Sequence, residues 1–117
     1  MKKVGVAILG LGVVGGGVYD ILTKNKEYFK FTQDLDVTVE TVLEKNIDRA
    51  LSRGVDRANI ASNIEEVVSN PNVDIVVEVM GGTEPAKTFV LKALMSGKSV
   101  VTSNKELFAK HWSELEE

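Results

Sequence analysis

The stretch Val6-Ala7-Ile8-Leu9-Gly10-Leu11-Gly12-Val13-Val14-Gly15-Gly16-Gly17-Val18 decides the fold of this chain. Its first half, extended back to Val4, is a short run rich in branched apolar residues that stops directly at a glycine loop. A strand covered by helices on both faces has this composition. Its second half enters a helix-period segment in which Val14, Val18, Ile21 and Leu22 recur at i, i+4, i+7 and i+8. Strand, tight loop and helix in immediate succession open a βαβ unit.

Outward from this stretch the same alternation continues. The helical pattern fades into polar sequence around Asn25 to Lys30. Val37 to Leu43 reads as a second strand, interrupted by Glu40 and Thr41. Asp48 to Arg53 reads as a short helix, Ile60 and Ala61 as a brief strand, and Ile64 to Val68 as a helical turn. Val73 to Met80 is a further strand, carrying Asp74 and Glu78. Pro85 stands where a first helical turn tolerates it. Ala86, Phe89, Val90, Ala93 and Leu94 then match the helical template in full, and Gly97 supplies a stop. Ser99 to Thr102 is another short strand. Ser103 and Glu106 have the spacing of a capping box, with Phe108, Trp112 and Leu115 along one face of a last helix. Four or five strands separated by helices predict an α/β fold, a Rossmann-type doubly wound parallel sheet in three layers.

Composition bounds what such a domain does. At 117 residues the chain makes one domain, burying about two-thirds of the surface its unfolded form would expose. It is 44% hydrophobic and 26% charged, ordinary for a globular protein. A net charge of −3 offers no broad footprint for nucleic acid. The absence of cysteine excludes a disulfide scaffold, a thiolate nucleophile and a cysteine-ligated metal. No apolar run approaches the roughly 20 residues that span a bilayer, and Lys2 and Lys3 precede a glycine-broken stretch unlike a signal peptide. No membrane partner is expected, and a cytoplasmic location is the default.

Gly10, Leu11, Gly12, Val13, Val14 and Gly15 form a G-x-G-x-x-G placed between a predicted strand and a predicted helix, the context that gives the motif meaning. The first glycine allows a tight turn, the second lets backbone approach a pyrophosphate, and the third lets helix and strand pack closely. Orphan N–H groups at the helix start then hold the phosphates. Gly15, Gly16 and Gly17 each cost roughly 0.8–1.0 kcal/mol against Ala inside a helix. A helix serving only structure has no reason to accept that, which favours a functional loop. The bland alternative is a glycine-rich turn used only for packing.

The end of the second strand decides which dinucleotide fits. A carboxylate there accepts from a ribose 2′-hydroxyl, whereas a cation accommodates a 2′-phosphate. Here Glu44 argues for NAD, while Lys45 and Arg49 argue for NADP; a plain solvated turn is the alternative for all three. His111, the one histidine, reads as structural or solvent-facing, and Met80 as core. Asp74 and Glu78, four residues apart in one strand, face the same way. One satisfied carboxylate near the loop is the expected outcome, in preference to an acid–base pair.

Three segments resemble homoserine dehydrogenases. Ile8 to Val18 is similar to the cofactor loop of that family. Val77-Glu78-Val79-Met80-Gly81-Gly82-Thr83-Glu84-Pro85-Ala86 resembles its strand, Gly-Gly and Glu-Pro-Ala turn. Gly97-Lys98-Ser99-Val100-Val101-Thr102-Ser103-Asn104-Lys105-Glu106-Leu107 is close to its G-K-x-V-V-T-A-N-K-A-L segment. The motifs occur in family order across nearly the whole chain. The resemblance implies reduction of aspartate 4-semialdehyde to homoserine with NADP or NAD, on the branch towards threonine, methionine and isoleucine. It implies that Gly10 to Gly15 hold the pyrophosphate, that Lys45 takes the place of an arginine meeting the adenosine end of NADP, and that Ser103 and Lys105 lie near the nicotinamide. Gly81, Gly82 and Thr102 join them by lying in the matching segments.

Two positions depart from the family pattern. Lys45 keeps a charge but loses the bidentate fork of arginine, and Glu44, usually apolar in the family, would repel a 2′-phosphate. Family enzymes are longer, with a second part that binds the amino-acid substrate, supplies the acidic and lysine groups for hydride transfer and forms the dimer. The expectation is therefore a cofactor-binding fragment of a homo-oligomeric enzyme that takes its small-molecule substrate only with that second part and is inactive alone. The rivals are the nucleotide domain of another small-molecule dehydrogenase, such as an aspartate or sugar dehydrogenase, and a nucleotide-sensing module without chemistry.

Overall fold

Alternating side chains of the first strand divide the core into two layers. The computed structural model describes residues 1–81 and 84–102. Among these, β1 (Lys2–Leu9), β2 (Leu35–Leu43), β3 (Ile60–Ala61), β4 (Ile75–Glu78) and β5 (Ser99–Thr102) form one parallel sheet, ordered β3-β2-β1-β4-β5. Val6 and Ile8 of β1 point into a layer with Leu11, Val42, Ala50 and Val55, onto which Val18, Leu22 and Phe29 pack from the helices α1 (Val13–Lys24) and α2 (Lys26–Gln33). Ala7 and Leu9 point the other way, against Ile64 and Val67 of α4 (Ile64–Val68) and Ala93 of α5 (Ala86–Met95). Burying a side chain such as Ile8 or Leu9 contributes about 1.5–3 kcal/mol. The period of two in β1 thus feeds both layers, and the sheet is doubly wound as the alternation predicts.

Several elements differ in detail. β1 and β2 begin two residues earlier than their apolar runs, because backbone pairing of Lys2 with Leu35 and Lys3 with Asp36 extends them past the buried part. Glu40 and Thr41 disturb the pattern of β2 for a structural reason: Val6 pairs with Val39 and Ala7 with Thr41, so Glu40 is a bulge. Thr41 is buried, its hydroxyl donating to the Asn59 carbonyl at 3.2 Å. The segment after Asn25, Lys26–Gln33, is helical. α2 is anchored by half-buried Phe29 and by Lys26, whose ammonium donates to the Thr38 hydroxyl at 2.8 Å and lies 3.3 Å from Asp36. Tyr28 and Phe31 face outward, so too few apolar positions repeat for the period to be visible. On α1, Val18 and Leu22 pack inward as expected, but Val14 and Ile21 are exposed. α3 occupies Ile47–Ser52, one residue earlier than its expected span, because Asn46 caps it by accepting from Arg49 N–H at 3.1 Å. β4 is shorter than Val73 to Met80, although Val73 remains in the core.

Gly97 ends α5 as anticipated. At φ 82° it lets its own N–H reach the Leu94 carbonyl and that of Lys98 reach Ala93, a Schellman closure. The expected capping box and last helix beyond Thr102, with Phe108, His111 and Trp112, lie outside the described residues.

Strand order reverses between β1 and β4, whose connections leave to opposite sides. In open α/β sheets that point, at the carboxyl ends of the strands, is where a crevice forms.

Candidate functional site

The loops that leave β1, β2 and β4 enclose a cavity of about 550 Å³ at the switch point. Gly10 and Gly12 form one wall. Glu44, Lys45 and Arg49 line the end beside β2, and Met80, Gly81, Pro85 and Phe89 make a more apolar end beside β4 and α5. Met80 is thus half-buried against the core and also faces the cavity.

Each glycine of the loop has its own reason. Gly10 sits at φ 97°, a turn open to residues without a side chain, and its N–H donates to the Leu43 carbonyl at 2.9 Å. A Cβ on Gly15 would lie 1.9 Å from the Gly10 carbonyl oxygen, so α1 approaches β1 as closely as only glycine permits. The glycine triplet therefore has a packing cause at its first member, which corrects the expectation that a structural helix gains nothing from it. A Cβ on Gly12 would meet no protein atom within 4 Å. Among the described residues nothing requires glycine there, and the open space it leaves belongs to the cavity.

The helix start above this space lacks the usual partners. Gly12 is the N-cap of α1 without a side-chain acceptor, and the first turn holds no acidic residue. By contrast α3 and α4 are capped by Asn46 and Asn63. The N–H groups of Val13, Val14 and Gly15 fall in the first turn, where no intrahelical acceptor exists. Val13 is 92% exposed, which leaves this end of the helix open. Backbone donors, helix polarity and an uncluttered approach suit a pyrophosphate.

Leu11 differs from its neighbours. Its side chain is buried in the core, and its N–H donates to Glu44 Oε1 at 2.7 Å. Glu44 also accepts the Asn46 N–H through Oε2 at 2.9 Å, and Arg49 Nη1 lies 3.7 Å from Oε1. The side chain of Glu44 is only 9% exposed, whereas Lys45 beside it is exposed at the cavity rim. The contact between Leu11 and Glu44 spans 33 positions in sequence, and nothing in the local pattern signals it.

Asp74 and Glu78 do not form a pair. Asp74 accepts the Gly5 N–H at 2.8 Å, while Glu78, fully buried one strand length further on, accepts the Met80 N–H at 2.7 Å and the Thr102 hydroxyl. Four residues of strand separate them by roughly 13 Å. Glu78 is the satisfied carboxylate anticipated near the loop, and it ties the β4 turn to the end of β5. Thr102 consequently faces Glu78 and is not part of the cavity wall. Gly82, Ser103 and Lys105 lie outside the described residues. Gly10, Gly12, Glu44, Lys45 and Gly81 are brought together as expected. The contributions of Ser62, Asn63 and Phe89 to the wall had no signal in the sequence.

Among the described residues no cluster of His, Asp or Glu has the arrangement of a metal site, and no helix is long and apolar enough to cross a membrane.

Comparison with known proteins agrees with this fold. The family described as "Homoserine dehydrogenase, NAD binding domain" matches residues 10–117. A homoserine dehydrogenase of Lactococcus lactis is 40% identical over 115 residues, covering 96% of this chain and 27% of the relative. The solved homoserine dehydrogenase of Thiobacillus denitrificans is similar with a TM-score of 0.86 at 39% identity, covering 98% of this chain and 26% of that one. A levoglucosan dehydrogenase, solved in complex with NADH and L-sorbose, is similar with a TM-score of 0.70 over 87% of this chain and 27% of that one. Its 16% identity shows a shared fold alone, and the reading as another small-molecule dehydrogenase is not favoured. The chain spans about a quarter of the length of the curated relatives it matches. It belongs to the homoserine dehydrogenase family, of which it carries the NAD-binding domain.

Proposed function

We propose that this chain holds the nicotinamide dinucleotide for the reduction of aspartate 4-semialdehyde to homoserine, a step towards threonine, methionine and isoleucine. The observation that carries the reading is the open space at Gly12 beneath the uncapped start of α1, within the switch-point cavity. The bound dinucleotide supplies the hydride. The chain's own residues bind and orient it. Gly10 and Gly12 admit the pyrophosphate, and the N–H groups of Val13, Val14 and Gly15 donate to it. Leu11 acts through Glu44, which with Lys45 frames the adenosine ribose. The apolar end at Met80, Gly81 and Phe89 receives the nicotinamide side, and Gly82, Ser103 and Lys105 belong there by resemblance. Glu78, accepting the Thr102 hydroxyl, holds the β4 and β5 ends together beside the site. The aldehyde site and the homo-oligomer interface are assigned to sequence of the kind that makes up the rest of the relatives.

Titration of the protein with NADH and NADPH, read by the fluorescence of the reduced nicotinamide, tests the cofactor site. Gly12→Ala is expected to weaken the tighter dinucleotide about tenfold or more, since one methyl group intrudes where the phosphates approach. Its stability should change by less than about 1 kcal/mol, the scale of an N-cap exchange. Unchanged affinity in a folded variant would overturn the assignment. Reduction of aspartate 4-semialdehyde by the 117 residues alone would overturn the division of labour between cofactor and substrate parts.

A further inference from the structure

We infer that Glu44 makes this site selective for NAD(H) against NADP(H), an inference that rests on the cofactor reading above. In sequence, Glu44 pulls towards NAD while Lys45 and Arg49 pull towards NADP. The geometry removes that balance. Glu44 follows the last residue of β2 and lines the cavity together with Gly10 and Gly12, where the adenosine ribose of a dinucleotide lying across the loop must pass. Its carboxylate is held in place by backbone donors from two separate segments, Leu11 N–H at 2.7 Å and Asn46 N–H at 2.9 Å. A carboxylate has about four lone-pair positions. Two accept these N–H groups, and the remaining ones accept hydroxyl protons from the 2′ and 3′ positions of a ribose.

A 2′-phosphate meets the same carboxylate with nearly two negative charges and without the 2′-hydroxyl proton. Glu44 cannot swing aside without releasing both N–H groups, one of which belongs to the glycine loop itself. Arg49, the side chain best suited to a phosphate by its planar fork, is directed at Glu44 at 3.7 Å, so part of its charge is already compensated. Lys45 remains as an exposed point charge at the rim. Like charge set against like charge therefore outweighs one solvated ammonium.

Calorimetric titration of the protein with NADH and with NADPH tests this directly. NADH is expected to bind about tenfold tighter or more, a modest part of what juxtaposed like charges cost. Glu44→Gln, checked for folding by its thermal melt, is expected to weaken NADH, strengthen NADPH and bring their ratio close to one or below. Equal or tighter binding of NADPH by the unaltered protein would overturn the assignment of Glu44 and leave the cofactor site standing. So would an unchanged ratio in the folded variant. Binding of neither dinucleotide would remove the cofactor reading and this inference together. The ratio in the unaltered protein decides the matter even if the variant does not fold.

Discussion

Replacing the glycines of α1 one at a time by alanine should give effects of opposite sign within three residues. At Gly15 the new Cβ would stand 1.9 Å from the Gly10 carbonyl oxygen, 2.9 Å from its carbon and 3.0 Å from Val79 Cγ2. Real Cβ atoms essentially never come under 3.0 Å, and the obstacle is backbone. Gly10 is itself held at φ 97° by the Leu43 carbonyl, so relief requires the start of α1 to lift from β1. Overpacking of this kind costs about 1–3 kcal/mol and sometimes more, against a helix-propensity gain of about 0.8–1.0 kcal/mol. The net for Gly15→Ala is a loss of up to roughly 2 kcal/mol. At Gly17 a Cβ meets nothing within 4 Å, and the propensity gain stands alone, so Gly17→Ala should stabilise by about 0.8–1.0 kcal/mol. Gly16→Ala falls between them. Its Cβ meets the Arg53 guanidinium at 2.4 Å, the far end of a flexible side chain that pairs with Asp20 at 3.5 Å and can move away. Urea unfolding with a common m-value measures the differences. The Gly15 and Gly17 variants should separate by about 1–3 kcal/mol, the overpacking cost itself, or roughly 4–24 °C in Tm for a domain of this size. If the two variants were equally stable, close approach of α1 to the Gly10 turn would not be what selects glycine at position 15.

Two further outcomes follow from single side chains. Glu78→Leu removes the acceptor for the Met80 N–H and the Thr102 hydroxyl at a fully buried position, and should cost about 2–4 kcal/mol in urea unfolding; a loss below about 0.5 kcal/mol would mean that those donors find other partners. Burial holds the Tyr19 hydroxyl above its ordinary pKa of 10.0, with Asp20 and Asp56 adding to the effect. The folded state therefore favours the protonated phenol, and the stability this lends is complete below pH 10.0 and is lost as pH rises through the raised value. Ultraviolet titration of the phenolates should show a component above the ordinary range that disappears in Tyr19→Phe.

The architecture was legible in the chain because its signals are local. An apolar run ending at Gly10, a helix period after it, and the repeated alternation of runs and periods all arise from neighbours along the backbone, and so does the stop at Gly97. Segments that rely on distant partners were less legible. α2 holds to the sheet through Phe29 and through Lys26 on Asp36 and Thr38, too sparse a pattern to show as a period. Glu40 looks like a flaw in a strand until the register of β1 against β2 makes it a bulge. Val14 and Ile21 share the apolar period of Val18 and Leu22, yet the angle at which α1 lies on the sheet leaves them exposed.

The same division runs through the site. Sequence alone singled out the loop that we propose meets phosphates, because a glycine turn between strand and helix carries its chemistry in its own backbone. It also determined that Glu44, Lys45 and Arg49 stand at the end of β2, without ranking them. Only the tertiary structure turned Glu44 inward onto the Leu11 N–H, drew Arg49 towards it and left Lys45 at the rim. The physical reason is that parallel strands place the ends of β1 and β2 side by side although 33 positions separate Leu11 from Glu44. A carboxylate's role depends on which donors reach it, and that is settled by sheet register rather than by spacing along the chain.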